Sequence, residues 1–259
     1  SSWEDASGDL QLMINQACPN SEIWVAQGTY KPNRPANNLN TIATNNRDNA
    51  FVLKANVKIF GGFLATGNPE ISDRDWNANI TTLSGDIGTV NNVSDNCYHV
   101  VISSGLVGTA ELNGFTITKG NANTNRAITV NGYSPDARYG GGMYNDNSSP
   151  TISNINFSEN NATNGGGLYN AVSSPMISNT SFSGNTASTN GGGINNSSSS
   201  PTISNTTFSG NTASTNGGGI YNYTSSPTMK NCTIVNNDAK DNGGGMFNTD
   251  VAVREINKY

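Results

Sequence analysis

Residues 182–194 read FSGNTASTNGGGI, and residues 208–220 read FSGNTASTNGGGI again, letter for letter. The block belongs to a longer beat. Triple glycines begin at Gly140, Gly165, Gly191, Gly217 and Gly243, and the prolines of an SSP motif fall at Pro150, Pro175, Pro201 and Pro227, so the step is 25 residues once and 26 thereafter. A unit of this size cannot bury its own apolar side chains, and its stability has to come from stacking each copy on the next.

Aligned copies show what stacks. One column is Ile152, Ile177, Ile203 and Met229; a second is Phe157, Phe182, Phe208 and Ile234; a third is Met143, Leu168, Ile194, Ile220 and Met246; a fourth is Ala162, Ala187, Ala213 and Ala239. Between the first two columns Asn154, Asn179, Asn205 and Asn231 recur. Ile203 and Asn205 are two apart, as in a strand, but Phe208 has the opposite parity, so the chain must bend between them. Asparagine tolerates the left-handed conformation of such a corner, and its amide can bond to the identical amide one rung away. No 3.6-residue period is visible, and a GGG in every copy opposes helix. Short strands and sharp corners, one coil per repeat, describe an all-β, single-stranded parallel β-helix with rungs about 4.8 Å apart. The crossover rule makes it right-handed.

These repeats resemble the right-handed parallel β-helix, or pectin-lyase-like, proteins. Phe157 to Asn160, Phe182 to Asn185 and Phe208 to Asn211 match FxxN, each followed by GGG, a pattern similar to the repeats of chlamydial polymorphic outer membrane proteins. The stretches 22-EIWVAQGTYKP-32, 57-VKIFGGF-63, 73-DRDW-76, 83-LSGD-86 and 113-NGFTITKGNAN-123 are similar to surface proteins of Bacteroidetes-type bacteria. The resemblance implies the fold and an extracellular or bacterial cell-surface location. It does not imply one activity, because the fold carries lyases, hydrolases, adhesins and inert passengers.

The rest of the chain fits one domain of this kind. Residues 1–20 read as an N-terminal cap, with Leu10, Met13, Ile14 and Ala17 on one face of a short amphipathic helix. Residues 21–139 read as irregular rungs, with strands near 22–26, 51–54, 57–63, 80–85, 98–102 and 111–117 and long excursions at 31–50 and 121–139. Residues 140–248 are the regular array, and 249–259 break its pattern. The chain opens on SSWEDAS without a basic, apolar leader, as expected of a mature secreted chain or an excised domain.

Composition bounds the partners. The net charge is -5, and 13 dispersed basic residues give no Lys/Arg surface for nucleic acid. Apolar runs such as 98-YHVVI-102 are far short of the roughly 20 residues of a membrane span. Cys18, Cys97 and Cys232 fit no metal spacing. A Cys18–Cys97 disulfide is one possibility, and Cys232 reads as filler in the place of Thr206.

Chemistry is sparse. Between Arg138 and Lys230 the only charged residues are Asp146 and Glu159, on different sides of a coil. Lyase or glycosidase chemistry needs converging carboxylates and a base. If the protein is an enzyme, its candidates are Asp73, Asp75, Asp86 and His99; Asp73 and Asp75 also form a candidate Ca²⁺ pair. The competing reading has Arg74 paired with a carboxylate to pin a loop and His99 packed in a strand. The GGG motifs lack the Lys-Ser or Lys-Thr of a phosphate loop and read as turn and close-approach glycines. Strand alternation turns Tyr144, Tyr169, Asn195, Tyr221 and Phe247 outward, where Tyr144, Tyr169, Tyr221 and Phe247 form a candidate carbohydrate-stacking ladder; the alternative is that the rings stack on one another.

The expected protein is therefore a secreted or cell-surface β-helical repeat protein. Its expected role is non-catalytic, as an adhesin-like module or passenger, with a surface glycan, a polysaccharide, or another cell-surface or secretion-system protein as partner and no cofactor other than Ca²⁺. The alternative is a polysaccharide-active lyase or glycoside hydrolase.

Overall fold

The computed structural model describes Trp3 and residues 6–249, so beyond Thr249 the tail at 249–259 lies outside the described residues. The repeats wind as a right-handed parallel β-helix with four sheets along its length, three of seven strands and one of five. An isoleucine sheet runs from Glu22–Ala26 through Lys58–Phe63, Glu111–Asn113 and Thr151–Ser153 to Thr228–Lys230. A phenylalanine sheet runs from Gly28–Tyr30 to Thr233–Val235, an alanine sheet from Asn121–Ala122 to Asp238–Ala239, and a tyrosine sheet from Phe51–Val52 to Met246–Asn248.

Like sits on like. Ile152 pairs with Ile177, Phe157 with Phe182, Ala162 with Ala187, and Met143 with Leu168. All of these face the interior, and the rings of Phe157, Phe182 and Phe208 stack at 4.7 and 4.9 Å, close to the spacing between strands. Each buried phenylalanine contributes about 1.5 to 3 kcal/mol of transfer free energy, and the repetition makes the core a column of such contributions.

The corner asparagines behave as the parity argument requires: Asn154, Asn179, Asn205 and Asn231 have φ between 49° and 55°. Their amides bond along the corner, Asn205 Nδ2 donating to Asn179 Oδ1 at 3.2 Å and Asn231 Nδ2 to Asn205 Oδ1 at 3.3 Å. Asn205 is exposed, however, and the buried ladders lie elsewhere. One is made of the FxxN asparagines: Asn160 donates to Asn185, Asn185 to Asn211 and Asn211 to Asn237, each Nδ2 to Oδ1. The other runs Asn145, Asn170, Asn196, Asn222, Asn248 on the tyrosine sheet, with Nδ2 to Oδ1 distances of 2.6 to 2.8 Å.

In each GGG the first glycine turns, as at Gly191 with φ 70°, and the second lets coils touch: a Cβ on Gly192 would lie 2.5 Å from the carbonyl oxygens of Gly218 and Thr212.

At the N-terminal end the helix Leu10–Gln16 caps the stack. Asp9 accepts from the Leu12 amide at 3.0 Å and pairs with Arg34 at 2.7 Å. Leu10 and Ile14 enter the core, but Met13 and Ala17 are only partly buried; the buried neighbour is Gln11, which bonds both Val52 N and Val52 O. Two other expectations shift. The strand placed at 98–102 is Val101–Ser104, and 111–117 splits at Gly114 (φ 82°) into Glu111–Asn113 and Thr116–Thr118. Besides the excursions near 31–50 and 121–139, residues 64–80 form a third, between an isoleucine-sheet strand and a phenylalanine-sheet strand.

All three cysteines are free, which removes the Cys18–Cys97 disulfide: Cys18 is exposed, while Cys97 lies in the core, where burial pushes its thiol up to about 12. Cys232 Sγ donates to Lys230 O at 3.4 Å, as Thr206 Oγ1 donates to Ser204 O at 2.9 Å one coil earlier.

Candidate functional site

The four candidate acid–base residues serve separate local structures. Asp73 closes a 3-10 turn, Ile71–Asp73, with Oδ2 accepting from Glu70 N at 2.8 Å. Asp75 Oδ1 accepts from the amides of Asn77 and Ala78 at 2.9 and 3.0 Å. Asp86 is buried, one carboxylate oxygen accepting from Asn91 N at 3.2 Å and the other without a partner. His99 is also buried; its Nδ1–H donates to Gly140 O at 3.0 Å, and its Nε2 faces no partner. Burial lowers the His99 pKa to about 4 against the opposing Gly140 bond and the Asp136 charge, so the ring is neutral at physiological pH. Among the described residues no hydrogen bond or ion pair joins any two of the four, and no three His, Cys, Asp or Glu side chains converge as metal ligands.

Arg74 does pin its loop, but through backbone rather than a carboxylate. Its guanidinium donates to the carbonyls of Gly61 and Asn113 and to Asn113 Oδ1. It also lies 5.1 Å from the ring centre of Phe60 and 4.9 Å from that of Trp76. Half-buried in this way, it loses solvation, which lowers its pKa, with Glu111 opposing.

The outward column of the tyrosine sheet is less exposed than strand alternation suggests. Tyr144 is 5 % exposed, and Tyr169, Tyr221 and Phe247 are half-buried. The excursion at 121–139 crosses this sheet, where Asn131 Nδ2 donates to Ser104 O and Ser104 Oγ to Val130 O, and it delivers Tyr139 onto Tyr169 at 4.6 Å. Tyr144 stacks on the other side of the group, 5.3 Å from Tyr169 and edge-on to His99. Desolvation raises the Tyr144 hydroxyl strongly and the Tyr169 hydroxyl to about 12. Tyr221 and Phe247 stack separately at 5.8 Å, with the buried Asn195 between the two stacks. The rings face one another before they face solvent.

A different aromatic residue lines a recess that sequence reading missed. The excursion at 64–80 hangs over the corner between the isoleucine and phenylalanine sheets and encloses a cleft of about 290 Å³. Trp76 and Ile80 line one side; Asn154, Asn156, Asn179 and Ser181 line the other. Trp76 is 37 % exposed. The corner ladder is interrupted here: Asn154 Nδ2 donates backward to Asn113 Oδ1 at 2.9 Å, and Asn179 Oδ1 accepts from Asn205, while no bond joins Asn154 to Asn179. An acceptor, Asn154 Oδ1, and a donor, Asn179 Nδ2, are thus left free on adjacent coils. The signal in the sequence was the Trp of 73-DRDW-76, read there for its carboxylates.

The family model of the Chlamydia polymorphic membrane protein repeat matches residues 179–197 and 205–223. Each match begins on a left-handed corner asparagine and ends in a tyrosine-sheet strand, so it covers the part of the coil that holds the phenylalanine, the buried FxxN amide and the GGG turn. No curated protein and no solved structure matches the chain. No helix among the described residues is long and apolar enough to cross a membrane.

Proposed function

We propose that this protein is a non-catalytic β-helical module of a bacterial cell surface, an adhesin-like scaffold that presents recognition features from its corners and excursions. The observation that carries the reading is how its reactive side chains are occupied. Asp73 and Asp75 cap turns, and His99 is sealed neutral against Gly140, whereas acid–base catalysis needs such groups to meet at one reacting atom. The repeat match supports a surface location, since the family is described by its membrane proteins. The partner is a surface glycan or polysaccharide, or another surface or secretion-system protein.

The purified chain, incubated with acidic and neutral polysaccharides, is expected to release neither unsaturated products nor new reducing ends, while it adheres to cells or immobilised glycans. Product formation that disappears in His99→Gln or Asp86→Asn would replace this reading with that of a polysaccharide-active enzyme.

A further inference from the structure

We infer that the corner cleft between Trp76 and the interrupted asparagine ladder binds a neutral saccharide. The inference deepens the recognition reading above and rests on it. Three features point to this class of ligand. The first is a fixed aromatic platform: the Arg74 guanidinium supports Trp76 from one side, and Gly62 lets the Trp76 backbone approach so closely that a Cβ there would lie 2.8 Å from Trp76 N. Such an indole loses little freedom on binding, and its face suits the C–H face of a pyranose.

The second feature is the break in the ladder. Asn154 Oδ1 and Asn179 Nδ2 are an unpaired acceptor and an unpaired donor on neighbouring rungs, and a sugar hydroxyl both donates and accepts. Inserted between them it would complete the ladder. Asn156 shares the same wall; its Oδ1 accepts from Ser181 Oγ at 2.9 Å, leaving the amide nitrogen to donate.

The third is charge. No ionisable side chain lines the cleft, so it offers nothing to a uronic acid or a sulfated sugar, and no carboxylate that could cleave a glycosidic bond. Its volume, about 290 Å³, lies just below the usual range for drug-sized ligand pockets and suits one or two sugar rings.

The test is calorimetric titration of the full chain with cellotetraose, laminaritetraose, xylotetraose, mannotetraose and chitotetraose in its N-acetylated form, with tetragalacturonate as the acidic control. Tryptophan emission is followed in parallel. At least one neutral tetrasaccharide is expected to bind and to change the emission, and tetragalacturonate is not. Trp76→Ala should weaken binding by about tenfold or more. Because that variant could loosen the loop, Asn179→Gly serves as the second probe: glycine keeps the left-handed corner and deletes the free amide nitrogen, losing besides only the exposed bond from Asn205, and it should weaken binding several-fold with the chemical-denaturation profile nearly unchanged. Silence toward all five neutral sugars, or binding that both variants leave intact, would overturn the site. Adhesion to cells that survives in Trp76→Ala while these titrations are silent removes the cleft and keeps the scaffold reading. Sugar cleavage that depends on Trp76 would keep the cleft and remove the non-catalytic reading.

Discussion

Replacing Asn185 by alanine is expected to destabilise the array by about 4 to 6 kcal/mol, a cost that its equally bonded neighbour Asn211 shares. The side chain is fully buried and makes four hydrogen bonds. Its Oδ1 accepts from Asn160 N at 3.1 Å and Asn160 Nδ2 at 3.0 Å, and its Nδ2 donates to Phe157 O at 2.9 Å and Asn211 Oδ1 at 3.0 Å. Truncation does not harm all the partners equally. Asn160 Nδ2 keeps its bond to Ile117 O, and Asn211 Oδ1 keeps the Asn185 backbone amide. The Asn160 backbone N–H loses the side-chain acceptor that satisfied it, at a cost of about 1 to 3 kcal/mol for a buried unpaired donor, and the other three bonds contribute about 1 kcal/mol each when lost. A stacked array can open coil by coil, so a single melting temperature would blur the effect. Chemical denaturation followed by circular dichroism gives the total, and native-state hydrogen exchange locates it at the Asn160 amide and the coils beside it. A loss below about 1 kcal/mol, with the Asn160 amide still protected, would refute the claim that these ladders hold the coils together.

Three further outcomes follow from the same geometry. At the exposed corner, Asn205→Ala should cost only about 1 to 2 kcal/mol, mainly because alanine lacks asparagine's tolerance of the left-handed conformation at φ 49°, and Asn205→Gly should be nearly neutral in the same denaturation assay; equal, large losses in both would mean that the corner amide bonds dominate. Ala187→Leu, in a slot that is 0 % exposed between Ala162 and Ala213, should lower stability by about 1 to 3 kcal/mol through overpacking, and an unchanged chemical-denaturation curve would show that the alanine sheet can spread. For His99, with a folded pKa of about 4 against about 6.5 unfolded, the unfolded chain takes up the proton first; stability is complete above pH 6.5 and falls by about 3 kcal/mol as pH drops toward 4. Asp136, the Tyr139 backbone and the Tyr144 ring surround His99, so the measurement is the difference between the stability–pH profiles of the native chain and His99→Gln, and two parallel profiles would contradict the assignment.

How far the sequence could be read depended on repetition. Phe182 and Phe208, Ala187 and Ala213, and the glycines at 191 and 217 stand in identical surroundings, so one correct assignment served every coil. The side of the wall an amide faces was harder to read. Asn205 and Asn211 are equally periodic, but each left-handed corner resets the strand parity, so the inner position of Asn211 cannot be counted outward from Ile203. Tyr144 failed for a different reason: alternation correctly turns it away from the core, but an excursion without periodicity, 121–139, covers it. The Trp76 cleft escaped because its walls come from residues about a hundred positions apart in the chain, joined by a loop whose carboxylates drew attention to turn-capping groups.

The two faces of each regular coil carry the same columns, and this bears on how such a chain can change over generations. Losing or copying 26 residues between equivalent points, such as Asn185 and Asn211, brings an Asn160-like face onto an Asn211-like face, with every ladder donor still opposite an acceptor. Whole-coil gain or loss is therefore structurally silent, whereas any other length keeps the columns in register only where it bulges out at a corner, as the 25-residue step after Ala162 and the excursion at 121–139 do. The inherited length of such a protein should vary in quanta of one coil, and the verbatim block at 182–194 and 208–220 is what one such step leaves before drift erases it.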